Sequence, residues 1–204
     1  MHIAVTGNIG AGKTTLTTML SKHYGWECQF EDVDHNPYLD DFYHDMAKWA
    51  FNLQIYFLGS RFRQIKEIRD SGKNIIQDRT IYEDAHIFAK NLSDMGHLTE
   101  RDYSNYLSLF ELMKDFVAPP DLLIYLKADI PKLVGQIAKR GRDYETGISI
   151  DYLSKLNDKY DQWIDSYDEG KLLIIDVNNL DFVERPEDFG YILERIDVEL
   201  NGLF

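Results

Sequence analysis

The chain has 204 residues, 44% of them apolar, and its 35 acidic and 22 basic side chains give a formal net charge of −13. This length and composition set one domain with a real core. The acidity excludes a surface built for non-specific DNA or RNA binding, and no apolar run approaches the roughly 18 residues that span a bilayer.

The apolar pattern alternates short strand-like runs with longer helical ones. HIAV (2–5) reads as a buried strand that ends at a glycine-rich loop, and KTTLTTMLSKHY (13–24) as a helix with Leu16, Met19 and Leu20 on one face. WECQFE (26–31) is a second strand, followed by a long helix over 45–72 that Gly72 stops. NIIQD (74–78) is a third strand, and helices follow at 83–92 and 100–116. DLLIYL (121–126) and KLLIID (171–176) are strands four and five. Helices at about 130–139, 150–167 and 187–200 complete the series. Such alternation predicts an α/β fold, a five-stranded parallel sheet with helices on both faces. Ligands then bind beyond the C-terminal strand ends. The first three strands run into TGNIGAGKTT, FEDVDHNPY and QDRTIYED, so polar residues gather where a site belongs. Cys28 is the one cysteine, which excludes an intrachain disulfide and suits a reducing compartment. The start, MHIAVTG, has no basic region leading into an apolar one, so a cytoplasmic location is expected.

Gly7, Gly12, Lys13 and Thr14 fit the pattern G-x-x-x-x-G-K-[ST], with a strand before it and a helix after it. Glycine lets the backbone wrap a phosphate, and the N–H groups at the helix start point at the anion. Across this stretch Gly7, Asn8, Gly10, Ala11, Gly12, Lys13, Thr14 and Thr15 are the candidates for holding the triphosphate of ATP. Lys13 supplies a point charge and the Thr14 hydroxyl a ligand for Mg²⁺. The motif specifies a nucleoside triphosphate. It does not specify a kinase, a GTPase or a motor.

A small phosphotransferase also needs a base at the acceptor hydroxyl, a carboxylate near Mg²⁺ and cations for the moving phosphoryl group. Glu31 at the end of strand two and Asp78 at the end of strand three, just before Arg79, fill the carboxylate positions. Either one alone reads more readily as a surface or capping residue. KRGRDYETG (139–147) concentrates Lys139, Arg140 and Arg142. Cations at a helix C-terminus compensate its dipole. Arginines among glycines also suit a segment that closes over ATP. Gln54 and Arg61 are seven residues apart and share a helix face. A Gln side chain presents a donor and an acceptor, as an adenine edge does.

With these pieces in place the chain resembles the deoxynucleoside kinases, from about Ile3 to Trp163. GNIGAGKTT resembles the family's phosphate loop, and FEDVDHNPYL is similar to the bacterial purine-type members. KWAFNLQIYFLGSR matches the W-x-F-x-x-Q helix through Trp49, Phe51 and Gln54. QDRTIYEDAHIFA resembles the [DE]-R-S segment, and KRGRDYETGI the lid. The resemblance implies a P-loop kinase fold in one domain, 1–204, with an arginine-bearing lid at about 139–148. It implies that Glu31 takes the 5′-hydroxyl proton, that Asp78 acts at Mg²⁺ and that Arg79 orients Glu31 and the phosphates. Tyr43 and Glu145 would hold the sugar 3′-hydroxyl. Arg61 and Asp84 would pair and read the base edge with Gln54, Phe88 would stack on the base, and Arg140 and Arg142 would grip the donor phosphates. Without the family, Trp49, Phe51 and Phe88 read as ordinary core residues. Thr80 replaces the family's usual serine, and Gln136 stands where related kinases often carry a basic residue against the donor base.

The implied reaction transfers the γ-phosphate of ATP, with Mg²⁺, to a purine deoxynucleoside in nucleotide salvage, deoxyadenosine before deoxyguanosine or deoxycytidine. A homodimer through the two long helices, 45–72 and 100–116, is also implied, with no nucleic acid or membrane partner. A nucleoside monophosphate kinase is the alternative enzyme, and Glu31 beside the acceptor would repel its phosphate. A non-catalytic nucleotide-binding subunit on the same fold is the other alternative.

Overall fold

The computed structural model describes residues 1–31, 36–142, 145 and 147–202. Strands β1 (His2–Thr6), β2 (Glu27–Gln29), β3 (Ile75–Asp78), β4 (Leu122–Lys127) and β5 (Lys171–Asp176) form one parallel sheet in the order β2-β3-β1-β4-β5. The sheet matches the expected fold class. The helices are α1 (Lys13–Tyr24), α2 (Leu39–His44), α3 (Met46–Ser71), α4 (Ile81–Glu83), α5 (Lys90–Asp94), α6 (Glu100–Lys114), α7 (Ile130–Arg140), α8 (Ile150–Asp165) and α9 (Pro186–Asn201). A π-helical segment, Asp84–Ala89, joins α4 to α5.

Side chains alternate across the strands, so each face of the sheet has its own core. Ile3, Val5, Leu122, Ile124 and Leu126 pack with Leu16 and Leu20 of α1 and with Ile192 and Ile196 of α9. Ala4, Leu123 and Tyr125 face the larger core, which includes Leu53 and Leu58 of α3, Tyr106 and Phe110 of α6, and Leu156 and Tyr160 of α8. β1 and β4 therefore read as continuous apolar runs, because both of their faces are covered.

Chain topology brings the polar strand ends together. β1 lies between β3 and β4, and the register sets Val5 beside Asp78 and Thr6 beside Tyr125. The loop after β1 thus opens at the point where successive strands are laid down on opposite sides, the usual ligand crevice of such sheets.

Three departures from the sequence reading bear on the site. β2 spans only Glu27–Gln29 rather than 26–31. As an edge strand it pairs through three positions with β3, and Phe30 and Glu31 leave the ladder. The short helix α2 was not anticipated, since six residues give no periodicity to read. The helix expected over 83–92 begins at Ile81, where Thr80 and Glu83 form a reciprocal capping box.

Candidate active site

The phosphate loop leaves β1 and enters α1 without a capping side chain. Gly10 has φ 87°, and a Cβ there would lie 2.7 Å from the Leu133 carbonyl oxygen of α7. Gly12 has φ 95° and faces Phe182 at 3.0 Å in the same sense. Both positions need glycine for conformation and for space. Lys13 is buried, and its Nζ donates to the Asn8 carbonyl at 2.9 Å. Burial, with Arg79 nearby, pushes its ammonium down to about 7.

Asn8 itself turns away from the loop's concave side. Its Nδ2 donates to the Leu153 carbonyl (3.0 Å) and to Asn157 Oδ1 (2.6 Å), both on α8, while Oδ1 accepts from Ile9 N (2.8 Å). Its side chain thus fixes the loop, and a phosphate would meet only its backbone. Ala11 is buried and its N–H closes the loop on the Asn8 carbonyl at 3.1 Å, while Thr15 is exposed on the first turn of α1.

A cavity of about 300 Å³ opens beside this loop. Lys13, Thr14, Glu31, Tyr43, Gln54, Asp78, Arg79, Asp84, Phe88, Arg140, Arg142 and Glu145 all line it. Thr14 Oγ1 donates to Asp78 Oδ2 at 2.5 Å, and Asp78 Oδ1 is buried with no hydrogen-bond partner. A hydroxyl and a half-satisfied carboxylate beside a phosphate site fit Mg²⁺, which binds through one or two protein groups, phosphate oxygens and water. Among the described residues no group of three or more His, Cys, Asp or Glu is set to hold a metal by itself.

Glu31 is gripped from two sides. Arg61 Nη2 donates to its Oε1 at 2.8 Å, and Arg79 Nε stands 3.3 Å from its Oε2. Burial opposes the charge, but Arg79 and Arg61 outweigh it and hold the carboxyl below its ordinary value. Arg61, only 2% exposed, lies behind the cavity wall rather than in the lining. Its Nη1 donates to the Asp78 carbonyl at 3.0 Å, and its Nε lies 3.4 Å from Asp84 Oδ2. It reaches the cavity through the two carboxylates it holds. Burial raises the Asp84 carboxyl to about 7 in spite of Arg61. The Gln54 Oε1 atom is buried without a hydrogen-bond partner, and Asp84 Oδ2 has only its ion pair with Arg61 and no hydrogen bond. Buried acceptors that lack hydrogen bonds on one cavity mark where a polar ligand edge belongs.

Asp84 and Phe88 both belong to the π-helical segment. Its i→i+5 bonding widens the turn, a local feature that gathers at functional sites, and both residues line the cavity. The Arg79 guanidinium lies over the Phe88 ring, 4.5 Å from its centroid. In the lid, Arg140 Nε donates to Glu145 Oε2 at 3.0 Å and its Nη2 pairs with Oε1, while Arg142 stands 3.8 Å from Oε1. The sugar-binding candidate and the two donor-binding candidates therefore form one cluster. Burial lifts the Tyr43 hydroxyl well above its ordinary value, and Tyr152 and Glu145 add to this. Tyr43 and Glu145 thus share one electrostatic environment.

Trp49 and Phe51 lie outside the lining, and Trp49 packs against Tyr38 with centroids 5.9 Å apart. Phe57, three residues after Gln54, supplies an aromatic wall from the same helix, as its spacing permits. Phe30 and Tyr152 also line the cavity, and nothing in the sequence singled them out. Residues 32–35 of the FEDVDHNPYL segment, and 143, 144 and 146 of the lid, lie outside the described residues.

The P-loop kinase fold and a cavity that joins a phosphate loop to buried carboxylates and arginines define a phosphotransferase. The deoxynucleoside kinase profile matches residues 3–200, and the chain belongs to that family. It is 40% identical over 196 residues to the deoxyadenosine/deoxycytidine kinase of Bacillus subtilis (strain 168), covering 95% of this chain and 90% of that one. It is 41% identical over 193 residues to the deoxyadenosine kinase of Dictyostelium discoideum, covering 95% and 78%. The structure of deoxyadenosine kinase from M. mycoides with products dCMP and a flexible dCDP bound matches with a TM-score of 0.86 at 32% identity, over 97% of this chain and 99% of that one.

Proposed function

We propose that this deoxynucleoside kinase transfers the γ-phosphoryl group of ATP to the 5′-hydroxyl of a purine deoxyribonucleoside. Deoxyadenosine ranks first, then deoxyguanosine and deoxycytidine. The observation that carries the preference for amino-bearing bases over thymine is the pair of buried acceptors without a hydrogen bond, Gln54 Oε1 and the Arg61-paired Asp84 Oδ2, on residues that line one cavity. A base edge with an exocyclic amino group satisfies such acceptors, and the Gln54 amide answers with a donor. Thymine would set a methyl group against the polar Asp84 carboxyl that Arg61 holds from behind. The Bacillus relative named for deoxyadenosine and deoxycytidine and the Dictyostelium relative named for deoxyadenosine support the same range.

In this reading the loop amides and Lys13 hold the donor phosphates. Thr14 and Asp78 hold Mg²⁺, which neutralises charge on the phosphates when bound. Glu31 accepts the 5′-hydroxyl proton as that oxygen attacks the phosphoryl group. Arg79 orients Glu31 and meets the developing charge. Arg61 holds Glu31 and Asp84 in place while Asp84 reads the base, and Phe88 flanks it. Tyr43 and Glu145 take the 3′-hydroxyl, and Arg140 and Arg142 transfer from Glu145 to the donor phosphates as the lid closes and excludes water. The chain acts as a homodimer in cytoplasmic nucleotide salvage. No helix among the described residues is long and apolar enough to cross a membrane.

Glu31→Gln keeps the shape of the side chain and removes the base. The expected outcome is a fall in kcat of about two to four orders of magnitude, with little change in nucleoside Kd. Turnover near that of the unmodified enzyme would remove Glu31 from the base role.

A further inference from the structure

Arg79 is the only non-glycine residue with a positive φ, 71°, among the described residues. A side-chain-bearing residue holds that conformation when its surroundings over-determine it. Part of the constraint is local. The Arg79 N–H donates to the Val5 carbonyl at 3.0 Å, and the next residue, Thr80, starts α4 with its N–H on Glu83 Oε2 at 2.8 Å. The rest comes from a distant part of the chain. Arg79 Nη1 donates to the Tyr160 hydroxyl at 3.0 Å, and that hydroxyl donates to Glu83 Oε1 at 2.9 Å. Tyr160 and Glu83 are fully buried, and neither lines the cavity. The Tyr160 ring stacks on Tyr125 of β4, with centroids 5.7 Å apart and planes 12° apart.

We infer that Tyr160 is a positioning residue for phosphoryl transfer: its hydroxyl ties the Arg79 guanidinium to α8 and so fixes where Nε meets Glu31. The inference rests on the role given to Arg79 above. A guanidinium held only by Glu31 would move with that side chain. The tether from Nη1 to Tyr160 and Glu83 sets its far end independently, and charge-assisted bonds in a buried site are strong and directional. Burial and the Glu83 charge hold the Tyr160 phenol well above its ordinary value, so it keeps the proton it donates to Glu83. α8 also receives the Asn8 side chain through Leu153 and Asn157. One helix, entered directly from the lid, thereby sets the distance between the phosphate loop and the catalytic arginine.

Tyr160→Phe removes one oxygen and keeps the ring stack. The expected result is a fall in kcat of about tenfold, with KM for ATP and for deoxyadenosine within about twofold and a melting temperature only a few degrees lower. In an Arg79→Lys background the same change should cost less than about twofold, because the two residues act as one unit. An unchanged kcat, an equal loss in both backgrounds, or a loss explained wholly by unfolded protein would overturn the inference. Arg79→Lys alone separates the two questions, since full activity there would reject the role of Arg79 and leave Tyr160 with nothing to position. If Tyr160→Phe does not fold, Glu83→Gln loosens both the Tyr160 hydroxyl and the direct 3.6 Å ion pair of Glu83 with Arg79 Nη1, and should give a kcat loss at least as large. An unchanged kcat in that variant would equally overturn the proposal.

Discussion

Asp84 is a carboxyl that burial pushes toward its neutral form while Arg61 pulls it toward its charged form. Glu31 and Glu83 add repulsion, Arg79 adds attraction, and the Tyr106 hydroxyl of α6 lies within its field. The balance stands at about 7, so the free enzyme loses this proton near neutrality. An amino-bearing base that hydrogen-bonds the carboxylate lowers that value in the complex. Between the two values the complex carries fewer protons than the free enzyme, so affinity rises with pH and levels off above about 7. Deoxyadenosine Kd, measured by calorimetry without ATP, should tighten up to about tenfold from pH 6 to pH 8. Asp84→Asn should flatten that profile. Glu31, held below its ordinary value, stays charged across the window and does not mimic the effect. A pH-independent Kd in the unmodified enzyme would show that Asp84 does not read the base. This residue was visible in the sequence through its family position, but its balance of charges was not, because Glu31, Arg61 and Arg79 approach it from other elements.

The elements were legible where chemistry marks their ends. Gly72 closes α3, Thr99 caps α6 through Asp102 N, and Ser149 caps α8 through Tyr152 N, and those helices fall within about two residues of the sequence reading. Periodicity could not show where the edge strand β2 releases its chain. That release sends Phe30 and Glu31 into the cavity. Nor could it show the π-helical turn that carries Asp84 and Phe88, since a wider turn leaves no separate composition signal. Helix α6 buries Tyr106 and Phe110 but exposes Leu109 and Leu112, and Phe116 follows just beyond it. Leu112 is 65% and Phe116 66% exposed, and Phe116 lines a surface cleft with the half-buried Phe62 of α3. This apolar strip is the basis for the proposed pairing of α3 and α6 with a second copy. Light scattering on eluted protein should give the mass of two chains, and Leu112→Asp should shift it toward one. A single-chain mass for the unmodified protein at all concentrations would reject the pairing.

At the scale of the molecule, a chain with net charge −13 brings Lys13, Arg79, Arg140 and Arg142 to one cavity. The strand order does this by setting the ends of β1 and β3 side by side, with the lid arriving from α7. The glycine loop, Glu31, Asp78 and Arg79 were legible because they lie at or just past the C-terminal ends of strands in a fold whose ligand crevice is known. Tyr160, Glu83 and Asn157 were not, because they act from behind, through contacts that span 77 to 149 residues of sequence. The proposed occupant of the cavity is an uncharged nucleoside, purines preferred, with Glu31 at its acceptor oxygen. The most direct test of this assignment is steady-state phosphorylation with ATP and Mg²⁺ against deoxyadenosine, deoxyguanosine, deoxycytidine, thymidine and dAMP in parallel. The expected result is turnover of the amino-bearing nucleosides, led by deoxyadenosine, and none of dAMP. Turnover of dAMP without any nucleoside, or a thymidine kcat/KM above that of every purine nucleoside, would contradict it.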